Sequence, residues 1–100
     1  MGAQPKVISD ECLRRVKLVL AMDVADLTVK LSNGQLNVPQ ERAAELRAAL
    51  ERLREAGVAL RRNTVARLLN DVVALSGPMP ELIPLAKDLV MTLQSCGVIL

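Results

Sequence analysis

No phenylalanine, tyrosine or tryptophan occurs in this chain, although 51% of its 100 residues are hydrophobic. Any core it builds must come from 18 Leu, 12 Val, 12 Ala, 4 Met, 3 Ile and 2 Cys. That much aliphatic content excludes disorder, and the length suits one small domain. The missing rings exclude a stacking platform for single-stranded nucleic acid and an aromatic cage for a quaternary ammonium. Histidine is absent too. Ser-His and Cys-His nucleophile pairs, imidazole acid/base chemistry and His-bearing zinc sites fall away with it. No enzyme is expected, and no cofactor.

Cys12 and Cys96 are the only cysteines, each set among apolar residues. Both are expected reduced and structural, because apolar surroundings suppress thiol reactivity. Charges from Lys6 to Lys17 break up any secretory apolar segment, and the charge-free run Leu89–Leu100 is shorter than a membrane span. A cytoplasmic, membrane-free protein is expected.

Residues 1–8 read as a flexible arm, followed by a single domain over 9–100. Ser9 suits a helix N-cap, with Asp10 and Glu11 in the first turn. Leu13, Val16 and Leu20, with Cys12 and Val19, recur at helical spacing and predict a helix over 9–22. Leu27, Val29 and Leu31 alternate with polar residues, Asn33-Gly34 follows, and Leu36 and Val38 alternate again. This pattern predicts a β-hairpin over 27–38, since Asn-Gly tolerates the positive φ of a tight turn. Ala43, Leu46, Leu50 and Leu53 mark a helix over 40–56 that Gly57 closes. Asn63 caps a helix over 64–75 carrying Val65, Leu68, Leu69 and Val72. Ser76 to Pro80 stops it, and Pro84 opens a last helix over 84–95. The expected class is mainly α with a short hairpin or ribbon, in the order helix, hairpin, helix, helix, helix.

The net charge of +2 is unevenly spread, with seven Arg against four Glu between Gln40 and Arg67. Arg61, Arg62, Asn63, Thr64 and Arg67 gather at one helix start, where backbone N–H groups and guanidinium forks favour a phosphate. The competing reading is a solvated loop with Arg67 paired to Asp71. The run Gln35 to Pro39, the amphipathic helix after it and the capped helix start at Asn63 to Arg67 resemble ribbon-helix-helix DNA-binding regulators. The resemblance covers about 40 residues. It implies a dimer whose paired strands enter the major groove of duplex DNA, with Gln35 and Asn37 reading bases and Asn63 and Thr64 at the phosphate. A helix-turn-helix arrangement ranks lower, since its presented helix near Pro84–Leu93 carries Lys87 beside Asp88.

Glu41, Glu45, Glu51 and Glu55 alternate with Arg on one helix and read as a solvated, ion-paired face. Asp23 and Asp26 lack a third oxygen ligand at loop spacing, so no metal is expected. The last helix carries more apolar residues than one face needs. Leu85, Leu89 and Leu93, with Leu36 and Val38, are therefore expected to form a homodimer interface, or to meet another protein through the C-terminal helix; the competing reading is a well-buried C-terminal helix in a monomer. Two functions follow: a small dimeric DNA-binding regulator of the repressor or plasmid/phage accessory type, or a protein–protein interaction module that uses an aliphatic helical surface and binds no nucleic acid.

Overall fold

A computed structural model describes residues 8–100 as four helices. They are α1 (Asp10–Ser32), α2 (Gln40–Val58), α3 (Val65–Ser76) and α4 (Ile83–Ser95). Short 3₁₀ turns, Arg62–Thr64 and Pro80–Leu82, lead into α3 and α4. The expected arm over 1–8 lies outside the described residues except for Ile8, which packs against the core.

The expected hairpin over 27–38 is absent: among the described residues there is no strand, and α1 continues through its first six residues to Ser32. Cys12, Val16, Leu20, Val24, Leu27 and Leu31 form one buried stripe along α1. Leu27 and Leu31 thus extend the helical pattern as i and i+4 neighbours, while Val29 between them is 56% exposed. Asn33-Gly34 does its work as a helix terminator. Gly34 adopts φ +70°, its N–H donates to the Leu31 carbonyl, and Gln35 N–H donates to the Lys30 carbonyl. The positive φ that suggested a hairpin turn serves this C-terminal cap instead.

The other boundaries move little. Ser9 Oγ accepts from Cys12 N–H at 3.1 Å, capping α1 as expected. Pro84 lies in the first turn of α4. Gly57, expected just past the end of α2, is inside the helix and buried. A Cβ there would stand 2.8 Å from Leu20 Cδ2, so the missing side chain lets α1 and α2 approach closely.

α1 is the central element, packed against α2 and α4, and α3 packs against α4. Buried side chains from every helix form one cluster that contains no polar or charged residue. Leu85, Leu89 and Leu93, expected at a dimer interface, belong to that cluster at 1–2% exposure. They face their own chain because α4 has α1 on one side and α3 on the other, leaving their stripe no route to a second copy. Leu36 and Val38 are half-buried against the same core.

Candidate functional site

The arginine turn forms as a surface. Arg61, Arg62, Asn63 and Arg67 are exposed, and Thr64 is half-buried. Its chemistry differs from the expected phosphate clamp. Thr64 Oγ1 accepts from Arg61 N–H at 3.0 Å and donates to the Arg61 carbonyl at 3.1 Å, so the hydroxyl is engaged within the turn. Asn63 lies inside the 3₁₀ turn and does not cap α3. Arg62 Nε approaches the Asp10 carboxylate at 3.6 Å. Among the described residues no ion pair joins Arg67 to Asp71. On α2, Arg54 grips Glu51 at 2.6 Å and holds that carboxyl below its ordinary range.

Gln35 and Asn37 are exposed in the loop before α2, whereas the arginine turn follows its far end. A helix of 19 residues separates them by about 28 Å at 1.5 Å per residue. With the strand gone, neither residue is presented on a ribbon, so the expected readers and the expected clamp do not make one site.

A different surface emerges on α1. Leu18 and Met22 are each 61% exposed and Val29 is 56% exposed, with Ala25 exposed between them. Their spacing of four, three and four residues is that of a coiled-coil seam, opposite the buried stripe. An open groove of about 430 Å³ runs beside it toward α2, past Ala21, Ala25, Val29 and Leu50. On the other flank, Met91 of α4, 64% exposed, shares a cleft with Val19 and Met22. Met91 also lines an apolar groove with Val73, Ile83, Ala86 and Val90, so the apolar surface continues from α1 across α4 to α3. Val29 belongs to this seam only because α1 continues as a helix through Leu27 to Leu31.

Between α1 and α4 lie two further pairs. Asp23 and Asp88 line both of two neighbouring clefts, of about 310 and 300 Å³. Burial raises the Asp23 pKa to about 7, helped by the neighbouring Asp88 and Asp26 carboxylates. Asp23 Oδ2 is buried with no hydrogen-bond partner.

At the other end of the α1–α4 contact, Arg15 donates to Ser95 Oγ at 2.8 Å and to Cys96 Sγ at 3.6 Å. Both cysteines are free. Burial pushes the Cys12 thiol up to about 11, and the nearby Cys96 thiol adds to the shift. Cys96 is only half-buried. A thiol reagent at neutral pH is therefore expected to modify Cys96 first and Cys12 much more slowly, followed by intact mass. Equal rates would show that the α1 N-terminus opens as easily as the surface.

Compared with protein-family models, curated proteins and solved structures, this chain matches none. Among the described residues, no helix is long and apolar enough to cross a membrane.

Proposed function

We propose that this chain is a protein–protein interaction module that docks a partner helix along the outward face of α1. The observation that carries this reading is the exposed seam Leu18, Met22, Ala25 and Val29, whose regular spacing matches what a second helix packs against. Isolated surface leucines need no explanation, but a continuous apolar surface rimmed by charge marks an interaction site. The two free thiols suit a reducing compartment, and we place the module in the cytoplasm. A photo-cross-linking amino acid at position 18 is expected to give protein adducts in cells, lost when Met22→Glu is added. The same probe at Glu45, on the polar face of α2, is expected to give none. Equal adducts at both positions, or none at either, would overturn the reading.

Duplex DNA remains the second reading, favoured by Arg61, Arg62, Asn63 and Arg67 standing exposed on one turn. If the turn holds phosphates, Arg61→Ala with Arg62→Ala weakens all duplexes alike. It also flattens the salt dependence by about one unit of slope per lost contact. A mobility-shift assay at two salt concentrations checks this. Unchanged affinity and slope in the double variant would remove the turn from the site, and no shift by the parent chain at low salt would remove DNA altogether.

A further inference from the structure

The spacing of the α1 seam also lets it pack against a copy of itself. Extended by one turn toward the N-terminus, its exposed positions are Glu11, Arg15, Leu18, Met22, Ala25 and Val29. Their spacing of four, three, four, three and four residues reads the same in both directions. Reversal about Leu20 exchanges Leu18 with Met22, Arg15 with Ala25 and Glu11 with Val29. A two-fold axis over Leu20 therefore brings every position of the seam against another position of the same seam.

We propose that the partner helix is α1 of a second copy, laid antiparallel across this one with the two-fold axis over Leu20. The proposal rests on the docking reading above and names its occupant. Charge decides both the partner and the direction. Arg15 and Asp26 are eleven residues, about three helical turns, apart, so they lie on the same flank of the seam. In the antiparallel pair the aliphatic stem of each Arg15 crosses the small Ala25 of the second copy. Its guanidinium, which in the single chain donates to Ser95 Oγ at 2.8 Å, then turns to Asp26 of that copy, an exposed carboxylate that also holds Lys30 of its own chain at 3.1 Å. A parallel pair instead sets Arg15 against Arg15, which repel. At the centre, Leu18 meets Met22 of the second copy twice, giving the dry middle that an interface requires. Met91 on α4, flanking Met22, widens the contact. An isologous interface of this kind closes at two copies.

Light scattering on the purified chain across a dilution series is expected to give twice 10.8 kDa at high concentration, falling toward 10.8 kDa on dilution. Met22→Glu is expected to abolish the dimer with helicity unchanged, because the side chain is exposed in the single chain. Arg15→Glu and Asp26→Arg are each expected to weaken association at least tenfold. Combined in one chain they restore it, since the antiparallel pair then regains opposite charges with the signs exchanged. A chain that stays at 10.8 kDa throughout overturns the proposal. So does a dimer that persists in Met22→Glu, or one that the double charge exchange fails to restore. If the chain is monomeric while the probe at position 18 still captures another protein, the second copy is excluded and the docking reading stands. If it is monomeric and the probe captures nothing, both fall.

Discussion

Leu20→Ala lowers the stability of this fold by about 3–5 kcal/mol, the upper part of the range for a buried leucine. For a chain this size that is a fall of more than about 12 °C in the melting temperature, read by far-UV circular dichroism because there is no Trp or Tyr. Leu20 is fully buried in the middle of α1, and its Cδ2 fills the place where Gly57 would carry a Cβ. The truncation therefore opens a cavity at the closest approach of α1 and α2, where two helices already in contact cannot collapse further. Gly57→Ala in the parent chain meets the same methyl at 2.8 Å. Its gain in helix propensity of up to about 1 kcal/mol is expected to be outweighed by the clash. In the Leu20→Ala background the sign reverses, because the new Cβ enters vacated space. Val58→Ala, next in sequence but 70% exposed, is expected to change stability by less than about 0.5 kcal/mol. Additive effects of Leu20→Ala and Gly57→Ala would show that the two residues do not share this contact.

Raising the pH from 5 to 8 destabilises the protein, and Asp23 is the group responsible. In the unfolded chain Asp23 ionises at the ordinary value of 3.8, whereas in the fold it holds its proton to about 7. Between those values the folded state binds more protons, so stability falls as pH rises and levels off above neutrality. Desolvation dominates the shift, and the Asp88 carboxylate facing Asp23 from α4 adds to it. Lys30 does not relieve the cost, because its ammonium is paired with Asp26 at 3.1 Å. Allowing for solvent screening at this partly exposed site, the loss is roughly 1–2 kcal/mol. Asp23→Asn is uncharged at every pH and has no proton to lose. Its melting temperature is expected to be flat over this range and to exceed the parent's at pH 8 by several degrees. A parent chain whose melting temperature rises steadily to pH 8 would refute the assignment. So would an Asp23→Asn variant that retains the slope.

The helices α2, α3 and α4 were legible because each carries one apolar stripe and visible punctuation. Leu46, Leu50 and Leu53 define the buried face of α2, Val65, Leu68 and Val72 that of α3, and Leu85, Leu89 and Leu93 that of α4. The second half of α1 was not, because Leu27, Val29 and Leu31 satisfy a two-residue period and a helical one equally over so short a run. Asn33-Gly34 added a false signal, since a hairpin turn and a helix cap both call for positive φ. The candidate site suffered from the same error. A helix that ends at Met22 has no outward seam, leaves the apolar surplus to α4 and frees Gln35 and Asn37 to lie on a strand, whereas a helix to Ser32 does none of these.

Sequence alone determined that the core is aliphatic, that no histidine chemistry is available and where most helices begin. These follow from composition and from contacts between residues three or four apart, which a chain makes without knowing its neighbours. Tertiary structure decided which apolar residues are core and which are surface. Leu20 and Leu18 are alike in the sequence, but α2 and α4 close over the first and leave the second 61% exposed. It also decided that Asp23 meets Asp88, that Cys12 meets Cys96 and that Gly57 serves packing rather than helix termination. Each of these pairings joins residues far apart along the chain, and only the packing of α1 against α2 and α4 selects them.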